Sequence, residues 1–154
     1  MTIVNLTRFL IKEKEFNQIV AQIFHHLKLT RKDINIFLIS EKRIREINYK
    51  FRGIKKPTDV LSFAEKETKE NFIYPIETNR EFLGEIYICP IWIKKQIQRK
   101  KIDFYEELIR VLVHGILHLL GYQHKGVSEK ESKKMIELQE KIVNKLNHTN
   151  FASQ

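Results

Sequence analysis

The sequence has one cysteine, no long apolar run, and few glycines and prolines. One of its 154 residues is cysteine, Cys89, so no disulfide can form within the chain. No apolar run approaches the roughly 20 residues that a membrane-crossing helix needs, and the N-terminal segment lacks the apolar stretch of a secretory signal peptide. With 5 glycines and 3 prolines there is no linker, repeat or low-complexity segment. We therefore expect one cytoplasmic domain over residues 1–154, with no membrane partner.

Acidic residues are also scarce relative to basic residues. Asp and Glu number 19 against 28 Lys and Arg, which gives a formal net charge of +9. Such an excess attracts polyanions through counterion release, so nucleic acid is the expected partner, although solvated helix faces would explain the same charge. The excess is concentrated in two stretches, and the cations predicted to bind RNA are Lys42, Arg43, Arg45, Lys50, Lys55, Lys56, Lys94 and Lys95.

Hydrophobic periodicity predicts alternating strands and helices. Strands are expected over 3–7, 34–39, 60–63 and 82–89, and helices over 13–27, 41–51, 91–99, 104–120 and 129–146. Ser40, Asp103 and Ser128 are the expected N-caps, and Gly53 and Gly121 are expected to end helices. The polar stretch 64–80 is expected to form a loop or hairpin. This order indicates an α+β domain in which a small mixed sheet packs against four to five helices.

Three histidines close together give the strongest chemical signal in the chain. His114 and His118 are four residues apart, so on a helix they lie on one face, one turn apart. Gly121 can adopt the positive φ that ends a helix, which would bring His124 round as a third ligand. Three imidazoles with an open fourth position are typical of catalytic zinc. We predict one Zn²⁺ ion on these histidines at the end of a central helix. The alternative is two core histidines and one surface histidine.

The spacing HxxxHxxGxxH is that of the metzincin peptidases, in which a glutamate after the first histidine acts as general base. Gly115 holds that position here. Because glycine cannot take a proton, the sequence argues against ordinary metzincin proteolysis. A close packing contact of the helix, or access for a substrate, would explain a glycine at this position.

Three motifs resemble those of one bacterial family. Residues 114–124 read HGILHLLGYQH, residues 48–63 read NYKFRGIKKPTDVLSF, and residues 83–89 read LGEIYIC. They resemble HGxLHLxGYDH, NxxyRxxxxPTDVLSF and LGDIxIC of the YbeY family of metal-dependent endoribonucleases, over about 48–140 of this chain. The sequence departs from these motifs at Gln123 and Glu85, where the family has aspartate.

The resemblance implies a zinc-dependent endoribonuclease that cleaves single-stranded RNA, with roles in 3′ maturation of small-subunit ribosomal RNA and in ribosome quality control. The small ribosomal subunit is the implied partner. Arg52 is implied as an essential residue, suited to stabilising charge on a phosphate, and Asp59 and Thr58 are further catalytic candidates. A turn before a strand favours the latter two residues in any case. With Gln123 in place of aspartate, the identity of the proton acceptor stays open.

Two other functions fit the same residues. One is a zinc-stabilised RNA-binding factor of ribosome assembly that has no catalytic activity. The other is a metallohydrolase that acts on a peptide or small molecule. Nitrogen ligands would also suit nickel or copper, and the sequence leaves open the oligomeric state and the choice between hydroxide and the RNA 2′-hydroxyl as attacking group.

Overall fold

The predicted order of strands and helices is confirmed. The computed structural model describes residues 1–67, 79–98, 100–123 and 125–150, with 147–150 in backbone only. Most of the predicted loop or hairpin, residues 68–78, lies outside this range, and a 3₁₀ turn, Glu65–Glu67, precedes it. The strands and helices are β1 (Thr2–Asn5), α1 (Glu13–His26), β2 (Lys32–Leu38), α2 (Glu41–Arg52), β3 (Val60–Ala64), β4 (Glu81–Ile88), α3 (Pro90–Ile97), α4 (Phe104–Leu119) and α5 (Glu129–Asn150).

Local chemistry explains where the ends of elements differ from the prediction. β1 ends early because Asn5 Oδ1 accepts hydrogen bonds from Thr7 N at 3.0 Å and Thr7 Oγ1 at 2.7 Å, which forms an Asx turn. α3 begins at Pro90, a residue favoured at the first position of a helix. No helix within the described ranges is both long enough and apolar enough to span a bilayer.

The predicted helix caps are confirmed. Ser40 Oγ accepts from Arg43 N at 3.3 Å, and Asp103 Oδ2 accepts from two backbone N–H groups at the start of α4. Ser128 Oγ accepts from the N–H of Glu131, whose carboxylate accepts in return, as in a capping box. These bonds satisfy N–H groups that the first turn of a helix leaves without partners.

The four strands form one mixed sheet in the order β1-β2-β4-β3. β1, β2 and β4 are parallel, and β3 runs antiparallel to β4 at the edge. Ile86 in the middle of β4 pairs with Ile36 of β2 on one side and Ser62 of β3 on the other. With five α-helices in the described chain, this sheet gives the predicted α+β fold.

α4 is the central helix of the larger core. It packs on β3 and β4 and also contacts α1, α3 and α5. Nine of its 16 residues are buried. On the opposite face of the sheet, α2 packs Ile44 and Ile47 against Leu61 and Cys89 in a second, smaller core. The sheet thus has α4 packed on one face and α2 on the other, and α1, α3 and α5 pack against α4.

Two glycines allow the backbone to approach closely where the sheet meets α4. At Gly115 of α4, a Cβ would lie 3.2 Å from Ile86 Cγ2 and 3.4 Å from Val60 Cγ2, so a glycine here lets the helix lie close on the sheet. Close packing therefore accounts for the missing metzincin glutamate. At Gly84, φ is +142° and a Cβ would lie 2.1 Å from the carbonyl oxygen of Phe63. Only glycine fits this position without displacing β3.

Gly84→Ala should lower the free energy of unfolding by about 3 kcal/mol, because it combines backbone strain with a steric clash. Urea denaturation measures this change. Gly53→Ala is the matched control: Gly53 has φ +71° but no neighbouring atom within 4 Å of a Cβ, so strain alone should cost about 1 kcal/mol. Equal losses in the two variants would contradict the account of β3–β4 packing.

Candidate functional site

The C-terminal turn of α4 supplies a hydrogen-bond acceptor for His118. Gly121, at φ +93°, donates its N–H to His118 O at 2.9 Å, and Tyr122 N donates to Leu117 O at 3.0 Å, which together form a Schellman motif. The turn places Tyr122 O 2.8 Å from His118 Nδ1. A carbonyl oxygen can only accept, so Nδ1 carries the proton and Nε2 carries the lone pair. Gly121 thus ends the helix as predicted.

His114 is oriented by a residue of α5. Its Nδ1 lies 2.9 Å from Oε1 of Gln139, a side chain that is only 8% exposed. The amide group of Gln139 is itself fixed, because its Nε2 donates to Glu140 Oε1 at 3.1 Å. With the NH₂ end turned toward a carboxylate, the oxygen end must face His114. His114 Nδ1 is therefore the donor, and its Nε2 also presents a lone pair.

Ion pairs between α4 and α5 hold Glu140 in place. Arg110 Nε donates to Glu140 Oε1 at 2.9 Å across the two helices, and within α4 Arg110 Nη2 donates to Glu106 Oε1 at 2.9 Å. Burial alone would raise the pKa of Glu140, but the hydrogen bonds from Arg110 and Gln139 outweigh it and leave that pKa below its ordinary value. The carboxylate that orients Gln139 is consequently ionised at neutral pH.

The two Nε2 atoms of His114 and His118 face each other 3.0 Å apart. Neutral imidazole nitrogens with their Nδ1 atoms bonded to oxygen acceptors are the usual form of histidine as a metal ligand, so this donor set fits zinc. His124, the third predicted ligand, lies outside the described residues. Within the part of the chain that is described, no three His, Cys, Asp or Glu side chains are grouped to hold a metal. The structure thus brings together two of the three predicted ligands.

A cleft of about 360 Å³ opens beside His118. It lies where the end of α2, strand β3 and the end of α4 meet, which brings the predicted Arg52 to the same cavity as His118. One histidine ligand candidate, two cations and one carboxylate thus line the same cleft. The lining side chains are Arg52, Ile54, Ser62, Ala64, Glu67, His118, Gln123 and Lys125.

Comparisons with known proteins agree with these features. The family model described as Endoribonuclease YbeY matches residues 3–147. Relatives named Endoribonuclease YbeY from Persephonella marina and a Sulfurihydrogenibium species are each 42% identical, over 86% and 88% of this chain and 82% and 84% of their own. The chain belongs to the YbeY endoribonuclease family.

A solved structure agrees with this assignment. The solution structure of TM1509 from Thermotoga maritima matches with a TM-score of 0.64 and 29% sequence identity, over 99% of this chain and 98% of that one. Membership of the YbeY family, which the three motifs predicted, is therefore confirmed. The α+β fold is shared with TM1509.

The YbeY-like motif over residues 48–63 positions Arg52 through a buried asparagine. Asn48 is 4% exposed, and its Nδ2 donates to Lys56 O at 2.8 Å, which ties α2 to the segment that follows it. Gly53, at φ +71°, ends the helix directly after Arg52. The end of α2 is therefore held in a defined conformation at the cleft.

Asp59 and Thr58, the further catalytic candidates, bond within their own turn. Asp59 Oδ1 accepts from Val60 N at 2.8 Å and from Thr58 Oγ1 at 3.1 Å. Neither is among the side chains that line the described cleft. These contacts show the turn role that such residues favour before a strand. Their catalytic role stays a prediction.

The eight predicted RNA-binding cations differ in their surroundings. Arg43 pairs with Glu46 at 3.2 Å and Lys95 with Glu41 at 2.6 Å, so part of their charge is already compensated. Lys94 lies over the ring of Phe9, 5.8 Å from its centroid. The other five are exposed on α2 or in the segment after it, and they are Lys42, Arg45, Lys50, Lys55 and Lys56.

Sequence reasoning missed Gln139, Glu67 and Lys125. Gln139 carried a signal that could have been used. It lies four residues after the buried Met135 and three before the buried Ile142, so it occupies the apolar side of α5. A polar side chain at such a position needs a buried hydrogen-bond partner, and His114 is that partner.

Gln139→Leu should weaken Zn²⁺ binding about 10- to 100-fold, because His114 loses the acceptor that fixes its tautomer. Competition with a chromophoric chelator measures the affinity. Glu137→Leu, on the exposed side of α5, is a matched control and should keep the wild-type affinity. Wild-type affinity in Gln139→Leu would show that the amide has no part in metal binding.

Proposed function

We propose that this YbeY chain is a zinc-dependent endoribonuclease that cleaves single-stranded RNA. The proposed substrate is ribosomal RNA, at the 3′ end of the small-subunit RNA and during ribosome quality control, with the small ribosomal subunit as partner. One observation carries the proposal: His114 and His118 direct their Nε2 atoms toward each other at 3.0 Å, and His118 shares a cleft with Arg52.

His114 and His118 would hold the zinc ion, with His124 as the predicted third ligand. When bound, zinc supplies Lewis acidity to a phosphodiester. Arg52 presents a planar fork of N–H donors that fits two phosphate oxygens and stabilises the charge that develops as phosphorus becomes pentacoordinate. Lys125 adds a second cation to the lining of the cleft. Both side chains therefore bind and orient the scissile phosphate.

Glu67 is the proposed proton acceptor. It is the one carboxylate among the described side chains that line the cleft, and the glutamate of the metzincin motif is replaced by Gly115. One of its carboxylate oxygens would take the proton of the attacking hydroxyl group as the new P–O bond forms and the bond to the leaving oxygen breaks. The same assignment holds for a water molecule and for the RNA 2′-hydroxyl as attacking group.

His118→Ala should reduce cleavage of a single-stranded RNA to background, and Glu67→Gln should reduce kcat about 100-fold or more. Gel analysis of a labelled RNA measures both variants, with a duplex of the same sequence as a substrate expected to stay intact. His25→Ala is a matched control, since His25 is an exposed histidine at the end of α1.

Circular dichroism should show that both variants remain folded. Unchanged cleavage in His118→Ala would contradict the proposed enzyme. RNA binding without cleavage by the zinc-loaded wild-type chain would instead indicate the non-catalytic assembly factor.

A further inference from the structure

Four aromatic side chains form a continuous row on the face of the sheet opposite α4. We call Phe51, Phe63, Tyr87 and Phe37 the aromatic strip. Ring centroids are 5.0 Å apart for Phe51 and Phe63, 5.9 Å for Phe63 and Tyr87, and 5.0 Å for Tyr87 and Phe37. The row runs from the end of α2 across β3 and β4 to β2.

The exposure of the strip is greater than the small core beneath it requires. Phe51 is 60% exposed, and the other three rings are half-buried. Tyr49, two residues earlier in α2, is 51% exposed. Half-buried rings can simply cover a core, but a largely exposed phenylalanine at the end of a row indicates a surface that binds another molecule.

The strip begins at the edge of the cleft. Phe51 precedes Arg52 in the chain and Phe63 follows Ser62, and both Arg52 and Ser62 line the cleft. Because side chains alternate along a strand, Ser62 faces the cleft while Phe63 faces the other side of β3. A chain molecule bound at Arg52 can therefore continue over the edge strand onto the strip.

The surrounding charges favour a polyanion with flat, uncharged groups. Lys50 Nζ lies 5.3 Å from the ring centroid of Phe51, and Lys55 Nζ lies 4.8 Å from that of Tyr49. Further along, the hydroxyl group of Tyr87 donates to Glu85 Oε2 at 2.7 Å. A carboxylate at that point would repel a phosphate but not a base. Cations beside exposed rings are the combination that binds single-stranded nucleic acids.

We propose that the aromatic strip is a base-stacking subsite for the single-stranded RNA segment that leaves the cleft. Bases would stack on Phe51 and Phe63 first, while the phosphates on either side face Lys50 and Lys55. RNA as the class of ligand rests on the proposed function, but the subsite makes a separate prediction about binding. Stacking carries little sequence preference, since every base has a π face.

Phe51→Leu should weaken binding of a short single-stranded RNA about fivefold or more, because leucine keeps the bulk of the side chain but removes the stacking surface. Fluorescence anisotropy with a labelled RNA of mixed sequence measures the dissociation constant at several salt concentrations. His118→Ala serves as the background in all samples to prevent cleavage. The salt dependence should be unchanged, since no phosphate contact is lost.

Two further variants serve as controls. One removes a charge in place of a ring, and the other removes a ring that is not part of the strip. Arg52→Ala should reduce the slope of log affinity against log salt by about 0.7, the value for one phosphate contact on a single strand. Phe9→Leu removes a different ring beside a lysine, far from the cleft. Phe9 packs against Phe104 at the start of α4. His118 lies 14 residues further along that helix, about 21 Å away. The RNA affinity of Phe9→Leu should equal that of the background chain.

Phe51→Leu and Phe63→Leu variants that fold normally and bind RNA like the background chain would overturn the proposal, and would leave the strip as a surface for a protein. Absence of any RNA binding by the background chain would overturn it as well. Strip-dependent binding together with no cleavage by the wild-type chain would support the subsite and contradict the proposed function. RNA cleavage by the wild-type chain together with binding that does not depend on the strip would support the proposed function and contradict the subsite.

Discussion

The site depends on two hydrogen bonds that fix the protons of neighbouring imidazoles. Tyr122 O holds Nδ1 of His118, and Gln139 Oε1 holds Nδ1 of His114, so both Nε2 atoms present lone pairs to the same point. Without these acceptors, each ring could place its proton on either nitrogen, and only one of the four arrangements would leave both Nε2 atoms free of a proton. The acceptors come from different sources: a Schellman turn supplies one, and the Arg110–Glu140 ion pair between helices orients the other.

Close packing of α4 on the sheet connects these histidines to the rest of the cleft. Gly115, directly after His114, lets the helix lie against Ile86 and Val60, and β3 in turn carries Ser62 to the cleft. The position that a metzincin uses for its general base is therefore occupied by a packing contact. The proposed proton acceptor is therefore a different residue, Glu67 in the 3₁₀ turn after β3, the one carboxylate among the described side chains that line the cleft.

Features that depend on residues close in sequence were predictable. The spacing of His114 and His118, the turn at Gly121 and the helix caps all follow from local geometry, and most bounds of elements agree within two residues. Contacts between segments that lie far apart in the sequence were not predictable from one sequence. Gln139 lies 25 residues from His114, and the aromatic strip exists because β4 inserts between β2 and β3 in the sheet. No periodicity or motif in the sequence indicates that Gln139 contacts His114, or that the four rings of the strip lie next to one another.

The most direct test of the account is NMR of the imidazole nitrogens during titration with Zn²⁺. Long-range ¹H–¹⁵N correlation spectra report which ring nitrogen carries the proton and which one binds a metal. The account predicts that His114 and His118 carry the proton on Nδ1 before zinc is added, and that both Nε2 resonances shift on binding. Protons on Nε2, or zinc that binds while these two resonances stay unchanged, would contradict it.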